Sequence, residues 1–191
     1  EKTVDINNYL NKKDSSFLDA PVSGGEAGAI SGKLSIMVGG NKKAFTRVKK
    51  VLSIIGEKIT YIGGSGSGQI CKACNQILVA QTIQSISEII TIAKKSKIDP
   101  AIIRTALLAG YANSKILEIH GKRMIDSDYE PGFKLSLHNK DLKIAKKLAR
   151  NLGLSFKGLN RTQRLMVLAE KEGLSELDSS VIHSILEKTY K

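Results

Sequence analysis

Apolar positions follow two regimes along the 191 residues. Up to residue 62 they come in short runs broken by Pro and Gly. Beyond that point they recur at helical spacing to the end of the chain. Residues 16–20 end at Pro21 and predict a strand. Residues 34–38, closed by Gly39-Gly40, predict a second, and residues 58–62 a third. Between the last two, Lys42–Ile55 is amphipathic at helical spacing, with Ala44, Phe45, Val48, Val51, Leu52 and Ile55 on the inward face. Gly56 is its natural stop. Three strands and a helix or two make a small sheet to stand alone.

The turn Gly63-Gly64-Ser65-Gly66-Ser67-Gly68 then opens a segment with neither Gly nor Pro until Asp99-Pro100. This predicts one helix of about 28 residues, roughly 42 Å long. Ile70, Ile77, Leu78, Val79, Ile83, Ile86, Ile89, Ile90 and Ile92 fall on more than one of its faces, so it is expected to run buried through a helical domain. Asp99 caps and Pro100 starts the next helix, which stops at Gly110. A third runs from 113 to about 125 with a weak point at Gly121, and residues 126–132 form a turn-rich connector. Residues 135–152, 160–172 and 178–190 complete the set. Wide stripes such as Leu165 to Leu168 and Val181, Ile182, Ile185, Leu186 add apolar surface. A helical domain of about 130 residues has limited interior, so a dimer or larger homo-oligomer is expected.

Composition adds limits. With 41% hydrophobic and 25% charged residues the chain can build a real core. Ser, Thr, Gln and Glu punctuate the long helix, so no membrane span is expected. The polar residues 1–16 hold no signal-peptide core. The net charge is +12, but the lysines come as scattered pairs: Lys42-Lys43, Lys49-Lys50, Lys94-Lys95 and Lys146-Lys147. Aromatics are 5% and Trp is absent. No specific nucleic-acid partner is expected, because such a binder gathers its charge on one face and interleaves aromatics. The cysteines Cys71 and Cys74 make a C-x-x-C with no second pair and no nearby His. That argues against zinc and for small buried side chains. Reduced thiols fit a cytoplasmic protein.

Lys72, Asn75 and Gln76 stand at i, i+3 and i+4 and share a face in the first turns of the long helix. An amine and two carboxamides converging beside a flexible turn can hold a carbonyl and an acid group. The same residues also suit a solvated first turn. The glycines before them are not a dinucleotide fingerprint, because no ribose-binding acid follows about 20 residues on within a βαβ unit.

Four stretches together resemble the β-hydroxyacid dehydrogenase family, which includes 3-hydroxyisobutyrate dehydrogenase and tartronate semialdehyde reductase (2-hydroxy-3-oxopropionate reductase). Residues 17–25, Phe-Leu-Asp-Ala-Pro-Val-Ser-Gly-Gly, look like its substrate signature. Residues 66–76, ending Lys72-Ala73-Cys74-Asn75-Gln76, look like its catalytic signature. Tyr129-Glu130-Pro131-Gly132-Phe133 is a third such stretch, and His138-Asn139-Lys140-Asp141-Leu142 looks like the family's cofactor-proximal segment. Asn75-Gln76, where some members carry Asn-Asn, tilts the likeness toward the reductases. Members begin with a Rossmann domain about 100 residues or more ahead of the substrate signature. This chain resembles the part that follows.

The resemblance implies a fold and a set of roles. The fold is an α/β remnant of a Rossmann domain over residues 1–62. An all-α, 6-phosphogluconate-dehydrogenase-like domain over 63–191 follows, so the whole is mainly α. The activity is NAD- or NADP-dependent interconversion of a small 2- or 3-hydroxy acid and its semialdehyde. Lys72 would supply the proton, which an amine can do when desolvation lowers its pKa toward neutral. Asn75 and Gln76 would orient the substrate, and Ser23, Gly24 and Gly25 would hold its carboxylate. Lys140 and Phe133 would line the nicotinamide side. His138 is expected to pack rather than react, and Asp141 to pair structurally. Without the fingerprint, the chain by itself is expected to be inactive. The rival readings are an inactive paralogue serving as a helical oligomerisation or binding module, and a basic nucleic-acid-binding helical protein.

Overall fold

The computed structural model describes residues 2–190. By packing, the chain divides between Asn75 and Gln76 into two compact units. The first holds α1 (Lys2–Asn11), β1 (Leu18–Asp19), β2 (Val22–Ser23), α2 (Gly25–Ile30), β3 (Leu34–Gly40), α3 (Lys42–Ile55), β4 (Gly56–Gly63) and the start of α4 (Ser67–Lys95). The second holds the rest of α4, then α5 (Pro100–Leu108), α6 (Lys115–Asp126), α7 (Leu135–Asn151), α8 (Lys157–Lys171), a 3-10 turn over Ser179–Val181 and α9 (Ile182–Thr189).

The strand expected at 16–20 is shorter and shifted. β1 and β2 both pair antiparallel with β3 in one register, Leu18 opposite Gly40 and Ser23 opposite Ser35. They are one edge strand interrupted at Ala20-Pro21, because Pro21 has no N–H for the ladder. Its carbonyl still accepts from the Met37 N–H at 3.0 Å. β3 and β4 run parallel, joined by α3, and the Asn41 side chain caps α3 by accepting from the Ala44 N–H at 3.1 Å. Leu34, Ile36, Val38 and Phe45 form the core. Only Ala44 and Phe45 of the expected inward face of α3 are buried; Val51 and Ile55 stay 65% and 50% exposed. The sheet is narrower than the apolar stripe that faces it. Gly56 ends α3 in extended backbone and starts β4 directly, so no left-handed cap is needed. The helices α1 and α2 have no counterpart in the apolar pattern, and neither buries a residue.

The second unit is a helical core around α4. Ile83, Met124, Leu135, Leu142, Leu159, Met166 and Ile182 are fully covered. Burying side chains of this size removes roughly 1.5–3 kcal/mol each of exposed apolar free energy. Asp99 and Ser114 cap α5 and α6 as their sequences dictate. At Gly121 α6 continues unbroken; a Cβ there would press on Arg104 Cδ at 3.3 Å. The stripe of α9 is absorbed by the chain's own core, with Val181, Ile182, Ile185 and Leu186 buried.

α4 differs from expectation in two ways. It is not buried all round: Leu78 and Ile92 are 69% and 65% exposed, while Ala80, Ile83, Ile86 and Ile90 face the core. Its 29 residues also pass the length and composition test for a membrane span, with a mean hydropathy of 1.2 over the best window, and 44% of that window is buried inside the fold. Polar punctuation lowers the average without breaking the run.

Candidate active site

The start of α4 is fixed by a carboxylate. Asp19 closes β1 and is 3% exposed. Its Oδ1 accepts from the Gly66 N–H at 2.7 Å and its Oδ2 from the Gln69 N–H at 3.0 Å. These N–H groups have no partner within a helix, and an acid at a helix start is favoured by the helix dipole. Two glycines let the helix come this close. A Cβ at Gly68 would sit 2.4 Å from the Met37 carbonyl oxygen. One at Gly39 would lie 2.7 Å from both Asp19 Oδ1 and the Gly68 nitrogen. The glycine-rich turn is therefore a joint between β3 and α4. Within it the Gly66 N–H bonds to Asp19 and the Ser67 N–H to the Gly64 carbonyl at 3.1 Å.

One turn on, Lys72 and Asn75 are half-buried and Gln76 is 4% exposed. α4 is continuous here, so the three side chains share a face. Ser23 is half-buried at the end of β2. Gly24 and Gly25 follow at φ of 137° and 62°, a region strained for any side chain. Both are exposed, and nothing lies within 4 Å of a Cβ at Gly25, so the backbone stays open to a ligand.

In the helical unit, Gln76 is tied to α7. Its Nε2 donates to Asp141 Oδ2 at 2.8 Å, and its carbonyl accepts from His138 Nε2 at 3.2 Å. Burial lowers the His138 pKa to about 4, with the Gln76 carbonyl and Asp141 opposing it. The ring is therefore neutral near pH 7, with its proton on Nε2. It packs as the sequence reading expects, 5.4 Å from the Phe133 ring. Asp141 also lies 3.4 Å from Lys140 Nζ, whose side chain is 61% exposed. Gln76 thus acts as a tether between helices, whereas Asn75 on the same face is the carboxamide less enclosed by the fold.

The segment carrying Phe133 is held by a second carboxylate, fully buried Asp178. Its Oδ2 accepts from the N–H groups of Gly132 and Phe133 at 3.2 and 3.0 Å. Its Oδ1 accepts from the Ser180 N–H and hydroxyl at 3.0 and 2.7 Å. His120 Nδ1 and Arg123 Nη1 lie 3.2 and 3.4 Å away. Burial alone would raise the carboxyl pKa, but the nearby His120 ring and the bonds from Ser180 outweigh it and hold it well below the usual range. Sequence reading missed Asp19 and Asp178. The cap pattern Asp178-Ser179-Ser180 was a local signal for one; for Asp19 the partners are 47 and 50 residues away, and no local pattern reports them.

The cysteines correct an expectation. Cys71 is half-buried and Cys74 exposed, both as free thiols. The apolar side of α4 faces elsewhere at these positions. Among the described residues no group of three or more His, Cys, Asp or Glu could hold a metal ion.

Comparison with known proteins adds relatives. Residues 66–186 match the family described as NAD-binding of NADP-dependent 3-hydroxyisobutyrate dehydrogenase. Residues 1–63 match the NAD binding domain of 6-phosphogluconate dehydrogenase. The chain is 46% identical over 178 residues to 2-hydroxy-3-oxopropionate reductase of Escherichia coli, covering 93% of this chain and 61% of that protein. The structure of 3-hydroxyisobutyrate dehydrogenase from Mycobacterium tuberculosis, solved with L-serine, superposes with a TM-score of 0.88 at 26% identity, covering 96% of this chain and 65% of that one. The corresponding Salmonella typhimurium enzyme gives a TM-score of 0.86 at 26% identity and the same coverage. The chain thus spans less than two thirds of the length of these relatives.

Proposed function

Because this chain belongs to the β-hydroxyacid dehydrogenase family, we propose that it forms part of an NAD(P)-dependent reductase of a small semialdehyde acid, with 2-hydroxy-3-oxopropionate as the first substrate to test. The observation that carries this reading is the 46% identity to the Escherichia coli reductase, together with Lys72 and Asn75 sharing one face of an unbroken helix. The family's cofactors are NAD and NADP, which supply or accept a hydride at the substrate carbon.

Each residue has a role in this proposal. Ser23 and the open backbone of Gly24 and Gly25 bind the substrate carboxylate. Asn75 hydrogen-bonds a substrate hydroxyl and fixes the carbonyl in line. Lys72 gives its proton to the carbonyl oxygen as the carbon is reduced, and takes it back in the reverse direction. Gln76, bonded to Asp141, holds the helix face in place. The cofactor fits the helical unit in part: the exposed Lys140 amine and the half-buried Phe133 ring, fixed by Asp178, would hold its nicotinamide end. Cytoplasmic location and the absence of a nucleic-acid or membrane partner belong to the same proposal.

The test is loss of reduced-nicotinamide absorbance with 2-hydroxy-3-oxopropionate as substrate, using protein that carries these residues with its complete nucleotide domain. Lys72→Ala should lower kcat by about 100-fold or more. Undiminished turnover in that variant would sink the assignment of Lys72. Failure of every small hydroxy acid with either cofactor would sink the activity.

Assembly is a separate part of the proposal. Leu78 and Ile92 on α4 and Ile102 on α5 are each about two-thirds exposed (69%, 65% and 65%), which supports a homo-oligomer formed through the helical unit.

A further inference from the structure

We propose that Cys71 and Cys74 together form a two-coordinate binding site for a soft monovalent metal cation of the Cu(I) type. Both thiols are free; one is half-buried and the other exposed. They lie at i and i+3 on α4, which is unbroken over Ser67–Lys95, so their side chains project from one side of the helix.

Geometry chooses among the uses of such a pair. Neighbours at i and i+3 on a helix have Cβ atoms about 5–6 Å apart. A disulfide needs about 3.5–4.5 Å, so oxidation to a disulfide would distort the helix. A linear sulfur–metal–sulfur bridge spans at most roughly 4.6 Å, taking the zinc–thiolate length of about 2.3 Å as the upper limit for each bond. That is within reach of both side chains without moving the backbone. Zinc asks for four ligands, and among the described residues no group of even three His, Cys, Asp or Glu could hold a metal ion. Thiolates are soft ligands and favour Cu(I). Two ligands with no third suit an ion content with linear coordination.

The balance is simple. Two S–H bonds break, two S–Cu bonds form, and two protons leave to solvent. The product carries one negative charge. Asn75 lies one turn beyond Cys71, so the bound ion sits beside the carboxamide that the proposed function gives to substrate. The metal site itself does not depend on that function.

The experiment is an anaerobic titration of the reduced chain with Cu(I), using bicinchoninate as the competing chelator and X-ray absorption to count sulfur ligands. One Cu(I) per chain with two sulfur neighbours is expected. Cys71→Ser and Cys74→Ser should each weaken binding by about 100-fold or more, since each removes the chelate. Thermal melts of both variants should match the parent, showing that the fold is intact. Either single variant binding within about threefold of the parent would overturn the proposal, because one thiol would then suffice. Copper held by three or more sulfurs, or shared between two chains, would overturn it as well.

Discussion

Replacing Asp19 with Asn tests whether one carboxylate fixes the start of α4. The change keeps size and shape but removes the charge. One of the two bonds, to Gly66 or Gln69, survives on the amide oxygen, and the amide NH2 is turned toward the other N–H. Losing one hydrogen bond to a charged group costs about 1.5–3 kcal/mol. Losing the negative charge at the helix start costs roughly 0.3–1 kcal/mol more. The Asn is cheaper to desolvate at a site that is 3% exposed, which offsets part of the loss. A net destabilisation of about 2–3 kcal/mol follows. For a chain of this size that is a fall in Tm of roughly 4–12 °C. Calorimetry of the purified chain reads the shift. Hydrogen exchange locates it, because protection should drop at Gly66 and Gln69 before it drops in the sheet. A Tm within about 1 °C of the parent, or unchanged exchange at those amides, would refute the account of α4's anchoring.

Further outcomes follow from the same structure. Gly68→Ala should destabilise by about 1–3 kcal/mol in spite of better helix propensity, because its Cβ would meet the Met37 carbonyl at 2.4 Å; Gly64→Ala, with nothing within 4 Å, should be near neutral in the same melt. His138 is held neutral by burial, with its pKa lowered to about 4. Below its unfolded value near 6.5 only the unfolded chain takes up the proton, so stability should fall by about 3 kcal/mol between pH 6.5 and 4. His183, also lowered, first by burial, adds in the same direction. Urea titrations across that range should show the loss, and His138→Gln should reduce it. Asp178→Asn should cost about 3–5 kcal/mol, the scale for a broken buried ionic network. At temperatures where the variant stays folded, the cofactor KM should rise more than kcat falls if Phe133 contacts the cofactor; an unchanged KM would separate Asp178 from that site.

Legibility in the sequence followed the range of the forces involved. α3 was readable to its ends, since its helical spacing and its stop at Gly56 are local. Asp99-Pro100 announced α5 equally plainly. The exposed side of α4 was not readable, because an isoleucine-rich run does not say which of its faces a neighbour will cover. The edge strand was blurred because Pro21 interrupts a register that only β3 reveals. α1 is amphipathic too weakly to stand out, and buries nothing.

The same distinction runs through the candidate site. The stretch from Phe17 to Gly25 and the stretch from Gly66 to Gln76 read from sequence as two places that touch a substrate. In the fold, part of each is spent on the other: Asp19 from the first binds Gly66 and Gln69 of the second. Gly68 is glycine because β3 leaves no room for a side chain. Gln76 is drawn toward Asp141 and His138. The proposed chemistry falls to a second group, Ser23, Gly24 and Gly25 for the substrate carboxylate and Lys72 and Asn75 for the reacting carbonyl. A substitution in the first group should therefore act through stability and helix position. A substitution in the second should change turnover in a protein that melts like its parent, and that contrast separates the two roles residue by residue.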